Sequence, residues 1–523
     1  AARAPPAPPR GAPAMPAPKP ARARGRARAR GLVLGALAAA AAACACAPLV
    51  AAGQAGAPGA CGALCWAGAA EAGPVVAAAA AALAVSLLLC GCCAVPMLSS
   101  LLRYWGVVFY FWRGGRYADL PEGYGLDALG RAHLYSLASV PWLMVQPHYR
   151  AGTFQQDMLT NLRNVAVPTG VYGIPLSLWA RSRASAVVAI LFMIPTVAFW
   201  GSWWRRLRGM EASAAECFRR SLLAPTDWIQ LWQLNCRLAS MTALATQSKD
   251  FDLEDKWKFI SSCLEKKIPV TPVMDKPVTL IAKDVNEEGG MGIHVLKNVM
   301  HGGRWILQKK LDNCEAVQRL LPDSAPLSTM RVVTGSRGAL AAMGASASSA
   351  AKARALCSVW RAGRAGSGTD HNCVMFNVPD ALTSEVLGSG SSSKHWYCLG
   401  TKAWGAPVST MDGSISAHPD TDTGRTLAGE RLPGASAAAA LCERAHDALM
   451  PGVPLAGWDV AFCPPGSGGG GARGAGEVEL VLLEANLSCN FFRGKIEWGD
   501  YAALADEHFA AIDAWRRRRR GVG

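Results

Sequence analysis

The sequence predicts an α+β protein in which a soluble C-terminal part follows an α-helical, membrane-associated region. Hydrophobic residues make up 51% of the 523 residues and charged residues only 17%, a balance typical of membrane segments attached to a soluble domain. The apolar runs Gly31–Ala52 and Pro74–Leu102 are each long enough to span a bilayer. From about residue 210, helical and β-branched segments alternate, and the chain has room for two or three domains.

The N-terminal region combines a basic start with apolar runs. Residues 1–30 consist mainly of Ala, Pro and Arg and contain no acid, so we expect a disordered, basic, targeting-like tail. Residues 31–209 are predicted to form a membrane region with two or three apolar helices. The connection Gly53–Gly73 has no Lys or Arg, whereas many basic residues follow Leu102. This asymmetry favours a hairpin with both ends on the cytoplasmic or stromal side.

A third apolar run, Val187–Trp204, has arginines on both sides, so charge gives it no orientation. The aromatic cluster Trp200, Trp203 and Trp204 is typical of a membrane–water interface. Three spans would put the C-terminal half opposite the N-terminus. Two spans plus a re-entrant or interfacial helix would keep both on one side, and the sequence leaves both topologies open.

Composition argues against several other classes of protein. The net charge of +15 is concentrated in residues 1–30 and in the C-terminal run Arg516–Arg520. Neither tract contains interleaved aromatic residues, so we expect no nucleic-acid partner and interpret residues 516–523 as a basic tail. The seventeen cysteines show no zinc-ligand or disulfide spacing. Two Ala-, Ser- and Gly-rich stretches, Gly335–Gly366 and Gly466–Gly476, are predicted to be disordered insertions.

The soluble part begins with two predicted helices, Asp227–Thr242 and Leu253–Lys267, the second with Asp252 as its N-cap and with Trp257, Ile260 and Leu264 on one face. A β-branched strand, Val278–Ala282, then leads into Lys283 and a loop that contains Gly289, Gly290 and Gly292. Glycines let a backbone approach a phosphate closely. An ordinary surface turn produces the same pattern, and the loop lacks the spacing of a P-loop.

Three polar groups lie in or beside later strand-like segments. Arg331 lies in Leu327–Thr334, where a buried guanidinium needs an anion, either a ligand phosphate or carboxylate or a structural salt-bridge partner. Asp370 and Asn372 precede the apolar run Cys373–Val378. His418 occupies an ordered polar turn, where it is a candidate base or substrate donor, although a loop histidine without either role is the commoner case.

Two strands near the C-terminus carry hard oxygen ligands. Residues two apart in a strand share a face, so Glu484 and Asn486 point the same way, and Asp459 lies in the preceding strand. A polar pair inside an apolar run needs a partner, and carboxylate and amide oxygens suit Mg²⁺. The alternative is a strand that simply ends in a polar loop.

The order of these motifs resembles the ATP-grasp superfamily, most closely its sugar-transfer-associated and alpha-L-glutamate ligase-related branch. The resemblance rests on Glu254-Asp255-Lys256, "IPVTP", Lys283 with its glycine loop, "WILQKKL", "LSTMRVVT", "HPDTDTG", "GWDV" and "LLEANLSCN", and it covers residues 227 to 514. It implies two α+β lobes around an ATP cleft. Residues 210–275 would form a pre-ATP-grasp subdomain and residues 276–515 the catalytic domain.

The resemblance also implies roles for individual residues. Lys256 and Lys283 would contact the ATP phosphates, and the loop of Gly289, Gly290 and Gly292 would close over them. Gln308 to Leu311 would lie beside adenine, with Lys309 in place of a frequent Glu. Arg331 would face the γ-phosphate or an acyl phosphate, which makes it, Lys283 and His418 the catalytic candidates. Asp459, Glu484 and Asn486 would hold Mg²⁺ (or Mn²⁺), and Asp370, Asn372 and His418 would face the substrate.

The implied reaction is an ATP- and Mg²⁺-dependent ligation at a membrane. A small-molecule carboxylate would be activated as an acyl phosphate and joined to an amine or similar nucleophile. The motifs do not distinguish this ligase from an ATP-grasp kinase that phosphorylates a hydroxyl, or from a non-catalytic membrane protein that retains the fold. The protein would be a multi-pass protein of an endomembrane or an organelle, a plastid included, with its catalytic domain on the ATP-containing side.

Overall fold

Helices occupy the first part of the described chain, and two antiparallel sheets with covering helices occupy the rest. The computed structural model describes residues 94–166, 182, 184, 187, 189–207, 209, 211–273, 278–284, 293–299, 305–345, 352–370, 373–379, 385–393, 415–421, 425–468, 478–487 and 496–521. All of them belong to one unit of the chain, Pro74–Gly523. The α+β class predicted from the sequence is therefore confirmed.

The described α-helices are Ala94–Trp112 (α1), Ala128–Ala138 (α2), Val140–Leu143 (α3), Phe154–Ala166 (α4), Ile194–Leu207 (α5), Ala214–Leu223 (α6), Trp228–Thr246 (α7), Lys256–Glu265 (α8), Glu315–Gln318 (α9), Ala339–Ala342 (α10), Ala435–Leu449 (α11) and Trp498–Arg519 (α12). Four of them, α2, α6, α7 and α8, begin directly after a residue whose side chain caps them. A π-helical turn, Ala189–Met193, precedes α5. Asp227 caps α7 by accepting a hydrogen bond from the amide of Gln230 at 3.1 Å, which confirms the helix predicted there.

Helix α8 begins later than the sequence indicates. Asp252 is not its cap, because residues Lys249–Glu254 form a 3₁₀ turn and Asp255 caps the helix instead. The predicted buried face was also wrong in part. Ile260 is buried, but Trp257 and Leu264 are 46% and 52% exposed, because the helix buries the face formed by Phe259, Ile260 and Cys263.

The strands form two separate sheets. Strands Val278–Asp284 (β1), Ile293–Val299 (β2) and Trp305–Lys309 (β3) make a small sheet in the order β2-β1-β3. Strands Thr329–Gly335 (β4), Arg354–Gly363 (β5), Cys373–Asn377 (β6), Gly390–Ser393 (β7), Leu455–Cys463 (β8) and Glu479–Asn486 (β9) make a large sheet in the order β7-β6-β5-β4-β8-β9. All pairings within both sheets are antiparallel.

The two faces of the large sheet pack against different helices. One face, with Val332 and Trp458, packs against α11 in an apolar core. The other face, with Val333 and Leu455, packs against α12, α7 and α2 in a second core. Side chains alternate along a strand. Arg331 and Asp459 therefore lie on the same face of the sheet as Val333 and Leu455, next to the second core.

The stretch Gly335–Gly366 is not a disordered insertion, so that prediction was wrong. It contains the short helix α10 and the interior strand β5, which pairs with both β4 and β6. Leu356, Val359 and Trp360 of β5 are buried. Their burial outweighs the Ala-, Ser- and Gly-rich composition around them.

The C-terminal arginines are not a separate tail. The prediction that residues 516–523 form a basic tail was therefore wrong for Arg516 to Arg519. Arg516 to Arg519 form the last turn of α12. The Arg516 guanidinium lies 4.1 Å from the centre of the Trp142 ring and donates to Ser139 Oγ at 2.8 Å. These contacts anchor the end of the helix on the first part of the chain.

Among the described residues, no helix is both long and apolar enough to cross a bilayer. The predicted span Gly31–Ala52 and most of Pro74–Leu102 lie outside the described residues. The described part of Val187–Trp204 forms the π-helical turn and helix α5.

A truncated protein that starts at residue 210 is expected to fold poorly. Tyr135 of α2 lies in the core beside Phe509 of α12, and Arg131 pairs with Asp506 at 2.7 Å. Removing the buried side chains of α2 to α4 would cost roughly 1.5–3 kcal/mol for each large one, which together approaches the 5–15 kcal/mol that stabilises a typical domain. Thermal unfolding by circular dichroism should show a cooperative transition for residues 94–523 and none for residues 210–523. Equal transitions would contradict the shared core.

Candidate active site

A row of charged side chains crosses four adjacent strands of the large sheet. Arg361 of β5 is paired in register with Thr329 of β4, and Arg331 of β4 with Asp459 of β8. Asp459 is paired in turn with Glu484 of β9. The strand pairing therefore brings together residues that lie far apart in the sequence.

A β-bulge in β9 positions Glu484 and Asn486 at the end of this row. Asp459 pairs with Glu484, but the next residue, Val460, pairs with Leu482, so Leu483 is an extra residue. A bulge of this kind re-aims the side chains that follow it. It brings Glu484 opposite Asp459 and Asn486 opposite Gly457, and the Asn486 amide lies 3.5 Å from Glu484 Oε1. The predicted shared face of Glu484 and Asn486 fits this register.

Two guanidinium groups hold the carboxylate of Asp459. Arg331 binds both of its oxygens in a fork, with Nη2 to Oδ2 at 2.9 Å and Nε to Oδ1. Arg361 Nη2 lies 3.0 Å from Oδ2. Both side chains of the Arg331–Asp459 pair are almost fully buried, and bidentate geometry of this kind is the strong form of an ion pair.

The charged row ends at Asp370 on the β6 side. Asp370 Oδ2 accepts hydrogen bonds from the amide and the hydroxyl of Thr329, at 3.1 and 2.5 Å, and lies 3.2 Å from Arg361 Nε. The Thr329 hydroxyl also accepts a hydrogen bond from Arg361 Nε at 2.9 Å. Arg361 is therefore held from three sides, and it links Asp370 to Asp459.

Burial and charge shift the carboxyl pKa values in opposite directions. Burial alone would raise the pKa of Asp459, but Arg331 and Arg361 outweigh it and hold that pKa well below its usual range. Burial raises the pKa of Asp370, and Arg361 offsets only part of that rise. For Arg361, Asp370 and Asp459 outweigh desolvation and raise the pKa, so the guanidinium remains charged.

The motif Glu254-Asp255-Lys256 places three side chains with three tasks. Glu254 accepts a hydrogen bond from the amide of Leu487 at 2.9 Å, immediately after Asn486. Asp255 caps α8 through the amides of its second and third residues, at 2.9 and 3.0 Å. Lys256 Nζ then lies 3.7 Å from Glu484 Oε2. The motif thus fixes the end of β9 and brings an ammonium group to the charged row.

Residues 268–273 connect the two sheets. The amide of Leu482 in β9 donates to Pro269 O at 3.0 Å, and the amide of Thr271 donates to Leu482 O at 3.2 Å. The Gln308 side chain in β3 is buried and donates to Thr271 O at 3.4 Å. The small sheet is therefore hydrogen-bonded, through this segment, to the edge strand that carries Glu484.

Two other predicted residues belong to the small sheet or follow it: Lys283 lies in β1, and Leu311 comes two residues after the end of β3. Leu311 is buried in a small apolar cluster with Ala461 and Val481. Lys283 occupies the β1 position paired with Ile306 of β3. Gly289, Gly290, Gly292 and Asn372 lie outside the described residues.

His418 is fully engaged in loop contacts. The amide of Asp420 donates to Nδ1 at 3.2 Å, which leaves Nε2 to donate to Gly363 O at 3.1 Å. Burial lowers the pKa of His418, so the neutral ring is favoured. This geometry ties the 415–421 segment to the end of β5 and leaves neither nitrogen available in this state as a base.

Replacing His418 with Ala is therefore expected to destabilise the protein. The change leaves Gly363 O without its donor and should lower the free energy of unfolding by about 1–3 kcal/mol. The exposed Asp323 provides a control, because its replacement with Ala should change stability by less than about 0.5 kcal/mol. Thermal unfolding of the full chain in detergent measures both. An unchanged midpoint for H418A would contradict the anchoring role.

Arg361 is the main residue that sequence reasoning missed. It lies in "SVWRAG", directly after the buried Trp360. A β-branched and an aromatic residue, Val359 and Trp360, follow each other in this segment, which is typical of a strand. The segment lies in the stretch Gly335–Gly366 that was interpreted as an insertion, so the pattern was not used. Glu254 lay within a recognised motif but had no assigned role.

The donor set at the row fits a hard cation in part. Glu484 and Asn486 offer carboxylate and amide oxygens, the ligands that Mg²⁺ prefers while it keeps waters and phosphates, whereas both oxygens of Asp459 already accept from Arg331 and Arg361. Within the described ranges, no group of three or more His, Cys, Asp or Glu side chains is arranged to hold a metal ion. A site here would therefore depend on the amide of Asn486 and on oxygens from a bound substrate.

Comparison of the chain with models of protein families, with curated proteins and with solved structures gives no match.

Proposed function

We propose that the charged row is the catalytic site of an ATP- and Mg²⁺-dependent enzyme with an ATP-grasp fold, which joins a carboxylate to an amine or similar nucleophile. The observation that carries the proposal is the alignment of Glu484, Asp459, Arg331 and Arg361 across one face of four adjacent strands, with Lys256 of helix α8 beside Glu484. Cations and carboxylates lie together in a row that is mostly buried, a pattern suited to phosphate transfer.

The arrangement of the two sheets supports an ATP cleft of this type. A small antiparallel sheet and a large one are joined by residues 268–273, and these residues bond to Gln308 on one side and Leu482 on the other. We assign the adenine to the Gln308 side and the phosphates to Lys256 and Lys283. The acceptor substrates would then meet the Arg361–Asp370 end of the row.

The chain's own residues supply charge and position rather than a covalent nucleophile. Lys256 and Arg331 would neutralise charge on the transferred phosphoryl group. Asp459 fixes the Arg331 guanidinium, and Arg361 holds Asp459 from the other side. Glu484 and Asn486 would hold Mg²⁺, which when bound supplies further charge neutralisation at the phosphates.

The proposed reaction balances in two steps. A carboxylate oxygen of the first substrate bonds to the γ-phosphorus as the bond to ADP breaks, which gives an acyl phosphate. The amine nitrogen of the second substrate then bonds to the acyl carbon, phosphate leaves, and the nitrogen loses its proton to solvent or to a carboxylate of the site. Positioning and electrostatic stabilisation account for the rate.

Screening of substrate classes tests the proposal directly. The full chain, purified in detergent, is incubated with Mg·ATP, a set of amino acids and sugar acids, and a set of amines. ADP release is measured and product masses are determined. A ligated product supports the proposal, whereas a phosphorylated hydroxyl compound would make the protein a kinase. Absence of both ATP binding and ADP release would overturn the enzymatic assignment.

Lys256→Met is expected to weaken ATP binding by about tenfold or more, because it removes the ammonium group that we assign to the ATP phosphates. This group lies 3.7 Å from Glu484. Lys258→Met is the matched control, since Lys258 lies on the same helix and pairs only with the exposed Asp252. Nucleotide titration monitored by calorimetry measures both. Equal losses in the two variants would argue against a phosphate contact by Lys256.

A further inference from the structure

An apolar, aromatic face extends over two neighbouring helices of the first part of the described chain. Helix α5 exposes Trp200, Trp204 and Leu207, which are 56%, 39% and 76% accessible. Their spacing of four and three residues places them on one side of the helix. Large apolar side chains grouped in this way mark an interaction surface more often than isolated ones do.

Helix α1 continues this face. Its exposed Leu102 is one turn from Trp105, and the Trp105 ring lies 4.8 Å from the ring of Phe192, in the turn that leads into α5. The Tyr104 hydroxyl donates to Leu191 O at 3.1 Å, which holds the two segments together. We define the aromatic face as the exposed Leu102, Trp200, Trp204 and Leu207 together with the half-buried Trp105 and Phe192.

The opposite side of α5 is fixed to the protein. Ala198 and Phe199 are buried in the core formed with α1 and α6. The buried Arg205 pairs with Glu211 at 3.1 Å, and Glu211 also pairs with Arg220. Only one side of the helix is therefore presented outward.

The charged residues of the two helices that carry the face are all basic. Helices α1 and α5 contain no Asp or Glu, and their Arg103 and Arg206 are exposed. Tryptophan and arginine together are characteristic of the interfacial layer of a membrane, where the rings lie at headgroup depth and arginines meet anionic lipid. In addition, residues 72–102, which lead into the face, contain no charged residue.

We infer that the aromatic face lies in the headgroup layer of a bilayer that contains anionic phospholipid, with α5 along the membrane surface. The tryptophan rings and Leu207 enter the boundary between headgroups and acyl chains, and Arg103 and Arg206 bind lipid phosphates. This assigns α5 to the interfacial alternative that the sequence left open beside a third span. It is independent of the proposed catalytic function.

Photoreactive lipids test this assignment without changing the protein. The full chain is reconstituted into vesicles of phosphatidylcholine with or without phosphatidylglycerol. The vesicles carry trace phospholipid with a diazirine either close to the glycerol or at the end of the acyl chain. After illumination, lipid adducts are mapped by mass spectrometry of peptides. Trp257 is the control, because it is 46% exposed but lies on α8, outside the face.

Adducts at Trp200 and Trp204 from the glycerol-proximal probe, increased by phosphatidylglycerol and absent at Trp257, are expected. Adducts mainly from the acyl-end probe would mean that α5 lies deep in the bilayer, which would overturn the surface placement. Absence of adducts at both tryptophans, or equal labelling of Trp257, would overturn contact with lipid. The face would then be covered by another segment or a second copy of the chain.

Discussion

Glu484→Gln is expected to reduce ATP turnover by about 10²–10³-fold while the fold is retained. The substitution keeps the shape of the side chain but removes the charge next to Lys256 and one of the two carboxylates at the register pair of β8 and β9. Glu484 is partly exposed and packs in neither large apolar core. Turnover is measured by ADP release from the full chain, and folding by circular dichroism.

Glu479→Gln gives a control in the same strand. Glu479 lies at the other end of β9, where its carboxylate accepts hydrogen bonds from the amides of Ser467 and Gly468, at 2.8 and 3.1 Å. Glutamine can still accept one of these bonds, and the site is distant from the charged row. E479Q should therefore keep most of its turnover. Full turnover in E484Q, with an active wild-type protein, would remove Glu484 from the metal site.

The local sequence predicted most strands because their side-chain pattern is set by burial on one or both faces. The strand around Arg331 was predicted within Leu327–Thr334 and is Thr329–Gly335. Asp459 and Glu484 lie in two strands, as predicted. The strand order is set by long-range pairing, which no local pattern contains. The bulge at Leu483 is likewise visible only once β9 is paired with β8.

The missed features share a physical cause. Strand β5 is flanked by small residues, and its burial depends on β4 and β6 on either side and not on its own propensity. Arg361 was missed because the strand that carries it was not predicted. The interpretation of residues 516–523 as a basic tail failed at Arg516 to Arg519, because Trp142 and Ser139, which anchor this turn, come from the opposite end of the described chain.

The second large effect concerns stability. Asp459→Asn is expected to lower the free energy of unfolding by about 3–5 kcal/mol, because it leaves the buried guanidinium groups of Arg331 and Arg361 without their shared charge. Denaturant titration of the full chain in detergent measures the change. Asp500→Asn is the control, since Asp500 lies in an exposed pair with Arg354 and should contribute less than about 1 kcal/mol.

The pH dependence of this effect gives an independent test. The pKa of Asp459 is depressed in the folded protein, because Arg331 and Arg361 outweigh the effect of burial. Its contribution to stability is therefore complete above the unfolded pKa of about 3.9 and is lost as the pH falls toward the folded pKa. The stability difference between the wild-type protein and D459N should be constant near neutral pH and narrow below about pH 4. A difference that persists unchanged at low pH would mean that lost packing, and not the paired charge, accounts for the destabilisation.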